Sequence, residues 1–234
     1  MKGAILSIEP NANLVDLSHA VPPQDIVSGA YLLWTSVEVF PPGTVHVAVV
    51  DPGVGSPRLA VAIRCARGDI FVGPDNGLLL PAINRLGGIQ RAVELNRPEF
   101  WRRGTSSTFH GRDVFGPVAA HLARGVALEE LGSPVSDPIQ LAFAKPEGHR
   151  GEVIHVDTYG NLVTNLPASD LPAQFRVRLG ALAIPFVGYY AAVRPGELLA
   201  VVGSAGLLEI SARDASAAAL TNASRGTPVL IEPS

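Results

Sequence analysis

Four short stretches of this sequence combine polar side chains with glycine where a buried core would be apolar. The first covers residues 51–58, and Asp51 directly follows a valine-rich run at residues 45–50. In open α/β sheets, ligands bind at the carboxyl ends of the strands, so Asp51 stands where it could contact a ligand. A capped turn, in which Asp51 bonds to its own loop, explains the pattern equally well.

The stretch at residues 105–113 places a histidine just before a predicted helix, next to a glycine and an arginine. His110 could act there as a base, a ligand or an anion contact. Arg112 and Asp113 are explained equally well as an ion pair at the start of that helix. The other five histidines lack such a setting, and we interpret them as structural or exposed.

The remaining two stretches have simple structural explanations when each is taken alone. Residues 73–77 contain Asp75 and Asn76, either of which could cap the following helix. Residues 157–165 contain Gly160 and Asn161, which suit a hairpin turn between two strands.

Several other chemistries have no support in the sequence. There is no Gly-Lys-Ser/Thr phosphate loop, no dinucleotide glycine fingerprint, no zinc-ligand spacing and no serine in a nucleophile elbow. The formal net charge of −3 offers no basic surface to nucleic acid. We therefore expect neither a metal site nor a nucleic-acid partner.

The single cysteine and the absence of long apolar runs predict a cytoplasmic protein. Cys65 has no partner for an internal disulfide, which fits a reducing compartment. No apolar run approaches the length of a membrane span, and the first ten residues lack a signal-peptide cleavage site.

The elements that would position the first three stretches alternate between strand and helix. Hydrophobic residues make up 47% of the chain, enough for a sizeable core. The predicted strands are residues 45–50, 59–66 and 69–72, and the predicted helices are residues 25–40, 78–86 and 113–123. Such alternation predicts an α/β N-terminal domain with a mainly parallel sheet.

The pattern changes near residues 144–151, where proline and glycine indicate a boundary between domains 1–146 and 151–234. Beyond it, helical periodicity is scarce and short strand candidates are separated by turn residues. These candidates are residues 152–156, 162–165, 175–179, 198–202, 207–211 and 229–232. They predict a smaller all-β, barrel-like or sandwich C-terminal domain.

Together the polar stretches resemble the S-adenosylmethionine (SAM) hydroxide adenosyltransferase family, which is related to SAM-dependent fluorinases and chlorinases. Six blocks in order carry the resemblance across nearly the whole chain. They are residues 22–25 (Pro-Pro-Gln-Asp), 51–55 (Asp-Pro-Gly-Val-Gly), 73–79 (Gly-Pro-Asp-Asn-Gly-Leu-Leu), 109–113 (Phe-His-Gly-Arg-Asp), 159–165 (Tyr-Gly-Asn-Leu-Val-Thr-Asn) and 203–210 (Gly-Ser-Ala-Gly-Leu-Leu-Glu-Ile). One block alone is weak support, but all six in order are specific.

The resemblance implies hydrolysis of SAM to adenosine and methionine, with Asp51, Arg58 and His110 around the reacting carbon. The halogenating branch has an aromatic residue in place of Asp51 and a tyrosine in place of His110. Its fluorinating members also carry an insertion before the equivalent of residues 73–77, where this chain has only a short turn. These differences favour water over halide as the nucleophile. No cofactor is implied, because SAM is the substrate.

The resemblance also implies a homotrimer, with the substrate between one subunit's N-terminal domain and a neighbour's C-terminal domain. On the family's pattern, the resemblance implies seven substrate-binding residues. They are Asp157 at the methionine ammonium, Ser204 at its carboxylate, Asn161, Arg213 and the Ala215 backbone at the adenine, Tyr190 stacked on the purine, and Phe109 near the ribose.

One departure from the family concerns the N-terminus. Family members begin with a strand and a loop whose aspartate holds the ribose hydroxyls, and that segment precedes the equivalent of residues 1–3. We expect the natural start to lie upstream of Met1. Mass spectrometry of the native protein that found its N-terminus at Met1 would contradict this expectation.

Three alternatives to hydrolysis stay open at this stage. The chain could bind adenosine or SAM without turnover, or could transfer the adenosyl group to a halide. Independently of the resemblance, Asp51 and His110 could serve an acid–base hydrolase that acts on another nucleoside.

Overall fold

The computed structural model describes residues 1–233, and the chain divides into two units between Ala142 and Phe143. The helices of the first unit are α1 (Lys2–Leu6), α2 (Ile26–Ser36), α3 (Leu80–Arg85) and α4 (Gly116–Ala123). Its strands are β1 (Val45–Val47), β2 (Ala60–Cys65), β3 (Ile70–Pro74) and β4 (Ile89–Glu94). None of the helices in the described part of the chain is long and apolar enough to cross a membrane.

The sheet of the first unit is mixed, in the order β1-β3-β2-β4. β1 runs parallel to β3, whereas β2 runs antiparallel to both β3 and β4. The expectation of a mainly parallel sheet is therefore not confirmed. The reason is local: Cys65 N–H bonds to Asp69 O at 2.9 Å, so β2 and β3 form a tight hairpin. A parallel connection would need a crossover of a dozen or more residues.

The helices begin and end close to their predicted positions. Asp25 caps α2, because its carboxylate accepts a hydrogen bond from Ser28 N–H at 3.1 Å. Neither Asp75 nor Asn76 is the N-cap of α3, which is Leu79, although Asn76 Oδ1 accepts from Leu78 N–H at 3.2 Å in the turn just before the helix. Asp75 instead accepts from Ile139 N–H at 2.8 Å, and Asn76 donates to Val50 O at 2.8 Å.

The helix predicted at residues 113–123 is divided into two parts. A π-helical turn spans Gly111–Phe115, and regular α-helix follows in α4. Pro117 lies at the first turn of α4, where proline is tolerated because the first N–H groups of a helix have no partner within it. Val114 and Phe115 are buried in a core with Ala62 of β2 and Val72 of β3, which fixes this segment against the sheet.

The second unit is a seven-stranded antiparallel sheet that is nearly closed into a barrel. Its strands are β5 (Arg150–Val156), β6 (Leu162–Pro167), β7 (Phe175–Leu179), β8 (Leu182–Pro185), β9 (Leu198–Val202), β10 (Leu207–Ala212) and β11 (Pro228–Pro233), with one short helix, α5 (Ala217–Thr221). They lie in the order β8-β7-β11-β5-β6-β10-β9. Just after β8, Val187 N–H bonds to Ala200 O of β9 at 2.9 Å, which brings the two edges together. The predicted barrel-like β unit is confirmed.

The interior of the barrel is filled by side chains that alternate along the strands. Leu208, Ile210 and Ala212 of β10 point into this core, together with Leu162 and Leu166 of β6. Since successive residues of a strand face opposite sides, Glu209 and Ser211 lie on the other face of β10.

Candidate active site

The loop between β1 and β2 brings Asp51 and Arg58 together. Residues 51–58 follow the end of β1 and turn back toward β2 through hydrogen bonds from Val54 N–H to Asp51 O and from Ser56 N–H to Gly53 O. Gly55 has a φ of +78°, a conformation that favours glycine. The glycine-rich spacing therefore folds the loop so that both of its charged side chains meet.

Arg58 binds the Asp51 carboxylate through two nitrogens. Its Nε lies 3.0 Å from Oδ1, and its Nη2 lies 2.5 Å from Oδ2. Only 10% of the Arg58 side chain and 6% of the Asp51 side chain are exposed. Nη1 donates to Leu59 O at 3.2 Å, and the guanidinium lies 5.4 Å from the centre of the Phe115 ring. The pair is thus held rigidly, as bidentate arginine–carboxylate pairs are.

His110 completes the cluster through the same guanidinium. Its Nδ1 lies 2.8 Å from Arg58 Nη2. Arginine can only donate, so Nδ1 must accept, and the imidazole proton resides on Nε2. Partial burial and the neighbouring Arg58 charge lower the pKa of His110, against opposing effects from Asp51 and Asp113. The site thus favours a neutral imidazole with an N–H available for a ligand.

The structure therefore brings together all three residues that were predicted around the reacting carbon. Phe109, which precedes His110, is 53% exposed, and the Arg112 guanidinium lies 4.8 Å from its ring centre. Arg112 and Asp113 form the ion pair that was considered from the sequence, at 2.7 and 2.8 Å. The pKa of Asp113 lies well below its usual range because of these bonds from Arg112.

An open pocket of about 850 Å³ lies in the first unit against β1 and reaches Asp51 at one end. Its walls come from the segment at residues 13–24, from β1 and from helices α1 and α2. Pockets of this volume accommodate small molecules. Among residues 1–233, no group of three or more His, Cys, Asp or Glu side chains is arranged to hold a metal ion.

In the second unit, the turn between β5 and β6 is organised by Asp157. One carboxylate oxygen accepts from Tyr159 N–H at 2.9 Å and from Asn161 N–H at 2.8 Å. The other accepts from the Asn161 side-chain amide at 2.9 Å. The predicted hairpin turn is confirmed, and two of the proposed substrate contacts, Asp157 and Asn161, lie side by side in it.

The other predicted contacts of this unit are arranged along β10. Ser204 lies in the turn before β10, whereas Arg213 and Ala215 follow its other end. Six residues of strand at about 3.3 Å each separate these groups by about 20 Å. Between them lies the Tyr190 hydroxyl, 3.3 Å from Ser211 Oγ. It also lies 3.4 Å from a carboxylate oxygen of Glu209, a contact that sequence reasoning missed. In the sequence, only its place in the block at residues 203–210 connected Glu209 with the candidate site.

Comparison with known proteins identifies the family of this chain. The family model for the SAM hydroxide adenosyltransferase N-terminal domain matches residues 1–132, and the model for the C-terminal domain matches residues 151–230. The chain belongs to the SAM hydroxide adenosyltransferase family. The six sequence blocks that suggested this relationship all lie within the two matched ranges.

Two curated relatives and one solved structure are similar to this chain over most of its length. It is 42% identical over 229 residues to a (R)-S-adenosyl-L-methionine hydrolase of Salinispora arenicola, covering 93% of this chain and 85% of the relative. It is 40% identical to a protein of the same name from Thermus thermophilus, covering 98% and 91%. A crystal structure of an uncharacterized conserved protein from Thermotoga maritima superposes with a TM-score of 0.90 at 35% identity, covering 99% and 93%. Fluorinases match at lower identity, 30% for that of Actinoplanes sp..

Proposed function

We propose that this family member hydrolyses S-adenosyl-L-methionine to adenosine and L-methionine. The observation that carries the proposal is the cluster of Asp51, Arg58 and His110, linked by contacts of 2.5 to 3.0 Å in the first unit. Relatives that are 40% and 42% identical over most of the chain are named SAM hydrolases, which supports the same reaction.

The reaction is a substitution at the ribose 5′ carbon. The oxygen of water forms a bond to this carbon while the carbon–sulfur bond breaks, and the bonding pair stays on sulfur. The sulfonium thereby becomes a neutral thioether, so no general acid is needed for the leaving group. One proton of the attacking water is released, and the other remains on the 5′-hydroxyl of adenosine. Substrate and water supply all the atoms of the products, so no cofactor is required.

The demand on the protein lies in the nucleophile, because bulk water has a pKa of about 15.7. Asp51 orients the water and accepts its proton. Each of its oxygens takes one bond from Arg58 and keeps a further lone pair for this purpose. Arg58 remains cationic and stabilises the developing hydroxide character. The Nε2–H of His110 donates to the same oxygen and helps to align it behind the carbon–sulfur bond.

In this proposal, domain 1–146 supplies the catalytic cluster and domain 151–234 of a neighbouring subunit in a trimer supplies most substrate contacts. Asp157 and Ser204 bind the ammonium and carboxylate of methionine. Asn161, Arg213 and the Ala215 backbone line the adenine. Tyr190, 41% exposed with its hydroxyl held over β10, stacks on the purine, and Phe109 packs near the ribose. A spacing of about 20 Å between the two ends of β10 suits an extended ligand that lies along the strand.

A product assay tests this function. Purified protein is incubated with SAM in halide-free buffer and the products are separated by chromatography, in parallel with Asp51→Asn and Asp69→Asn. Asp69 is the matched control, since it is a buried aspartate of the same unit bound by two nitrogens of Arg67, Nε and Nη2, at 2.8 Å. We expect adenosine and methionine from the wild type and the control, and a loss of turnover of about 100-fold or more in Asp51→Asn.

Other outcomes of this assay would point to the alternatives. A 5′-halogenated nucleoside that forms only when chloride or fluoride is added would indicate adenosyl transfer to halide. A calorimetric binding signal without product would indicate a binding module. Turnover of another nucleoside, but not of SAM, would indicate a different hydrolase. Near-normal turnover in Asp51→Asn would remove Asp51 from the mechanism.

A further inference from the structure

Asp113 is a fully buried carboxylate three residues after His110, and the hydrogen bonds of its carboxylate go to Ser106, Arg112 and Arg102. We propose that Asp113 is a positioning residue, which closes the loop of residues 102–113 and thereby holds His110 against Arg58. This inference rests on the proposed function, because it assigns Asp113 a part in preparing the same site.

The Asp113 carboxylate bonds across the loop as well as to its neighbour in sequence. One oxygen accepts from Ser106 N–H at 2.9 Å, seven residues earlier. The guanidinium of Arg112 binds both oxygens at 2.7 and 2.8 Å, and an Arg102 nitrogen lies 3.5 Å from one of them. A simple ion pair at the start of a helix needs only Arg112. The bond to the backbone of Ser106 is what ties the helix start to the loop.

The backbone of Asp113 closes the same loop at two further points. Arg102 N–H donates to Asp113 O at 2.9 Å, and Asp113 N–H donates to Phe109 O at 3.2 Å. Side chain and backbone of one residue therefore fix the beginning, the middle and the end of the segment that carries His110. Because the carboxylate is buried and charged, losing one of its partners is costly.

The other side of the loop rests against the catalytic loop. A Cβ atom at Gly55 would lie only 2.9 Å from the carbonyl oxygen of Ser107, so the two loops pack at a point where only glycine fits without displacement. His110 then reaches Arg58 at 2.8 Å. The segment is thus held between Asp113 on one side and the loop of residues 51–58 on the other. Release of either side would change the distance from His110 to Arg58.

The protein contains a matched control for this role. Asp69 is also fully buried and is bound by two nitrogens of an arginine, Arg67. It lies in the β2–β3 hairpin, however, and its histidine contact is His46 at 3.3 Å. Asp69→Asn and Asp113→Asn remove the same charge from equally buried sites in one unit. A general loss of folding stability would affect activity similarly in both.

The first test compares the kinetics of Asp113→Asn and Asp69→Asn with the wild type, using SAM at temperatures where all three are folded by circular dichroism. We expect kcat to fall about 10- to 100-fold in Asp113→Asn, with a smaller change in KM, because misplacing one group of a site by about 1 Å has effects of this size. Asp69→Asn should stay within about 2-fold of the wild type. Equal effects in the two variants would overturn the proposal.

The second test measures the titration of His110 by NMR and does not depend on turnover. The signal of His110 is assigned by its loss in His110→Gln. The charged groups facing His110 are Arg58, Asp51 and Asp113, and the Asp113 charge raises the pKa of His110. Removing that charge alone would therefore lower this pKa.

Release of the loop has the opposite effect, because it restores contact with water and separates His110 from Arg58. We expect the pKa of His110 to rise toward its ordinary value in Asp113→Asn and to stay unchanged in Asp69→Asn. A fall, or no change, in Asp113→Asn would overturn the positioning role. If the wild type did not hydrolyse SAM, the proposed function would fail while this measurement still decided the role of Asp113.

Discussion

Arg58 is the residue on which the candidate active site is centred. Three of its nitrogens are engaged, by Asp51, His110 and the carbonyl of Leu59. An arginine can only donate hydrogen bonds, so both oxygens of Asp51 accept from it and Nδ1 of His110 must be unprotonated. Arg58 thus selects the form of His110 that has a free lone pair on Nδ1.

Acid should inactivate the protein by protonating His110, since the added proton would remove the acceptor at Nδ1 and place a second positive charge beside Arg58. Burial and Arg58 hold the pKa of His110 below its ordinary value of about 6.5. The unfolded chain therefore takes up this proton at a higher pH than the folded state, and stability decreases as pH falls below about 6.5. We expect the urea midpoint to begin to decline as pH falls below about 6.5, and kcat at saturating SAM to decline at lower pH, where folded His110 takes up its proton.

The control for this prediction is His110→Gln, which has no titrating group at the position. Its urea midpoint should depend less on pH below about 6.5 than that of the wild type. An acid limb of kcat centred well above this value would show that another group controls the reaction.

At the scale of elements, the turn between β5 and β6 depends on Gly160. Its φ is +82°, and a Cβ atom there would lie 2.0 Å from Ser216 Oγ, the group that caps α5 by accepting from Ala219 N–H. Gly160 O also accepts from Ala218 N–H at 2.9 Å. The proposed substrate contacts Asp157 and Asn161 are therefore positioned by contact between the turn and α5.

We expect Gly160→Ala to lower the free energy of unfolding by about 1–3 kcal/mol and to weaken SAM binding, because both the backbone strain and the clash must be relieved by moving the turn. Gly226→Ala is the matched control, with a φ of +86° and no atom within 4 Å of the added methyl group. Urea unfolding and calorimetric titration with SAM would separate the two effects. Similar affinity losses in the two variants would contradict a specific role for the turn.

Several elements of the fold show which features could be predicted from the sequence and which could not. The Asp25 cap, the strand at Val45 and the β5–β6 turn were predicted because short polar and glycine signals act over a few residues. The direction of β2 and the partners of Asp75 depend on contacts between distant segments, which periodicity does not report. Likewise, motif positions suggested Asp51, Arg58 and His110, but only the fold showed that Arg58 joins the other two and that Asp113 also binds Ser106.

At the scale of the whole molecule, the proposal divides each site between two subunits of a trimer, and the domain ranges 1–146 and 151–234 stay a prediction. Complementation between inactive variants would test this division. When Asp51→Asn and Asp157→Ala are coexpressed with different tags and the trimers that carry both tags are purified from the mixture, about a third of the sites would combine a wild-type N-terminal domain with a wild-type C-terminal domain. We expect activity to return in this mixture.

The control mixture combines Asp51→Asn with Arg58→Ala, both in the first unit, and should remain inactive. Sedimentation of the wild type should give the mass of three chains. Failure of the first mixture to regain activity, with each variant folded, would place the whole site within one chain.

The most direct measurement of the central claim is the fate of the water oxygen. A single turnover of SAM in water enriched in ¹⁸O, analysed by mass spectrometry, should place one ¹⁸O atom in the 5′-hydroxyl of adenosine and none in methionine, and Asp51→Asn should form little of this product. Unlabelled adenosine, or ¹⁸O in homoserine or methanol, would show that water does not attack the ribose 5′ carbon and would contradict the mechanism.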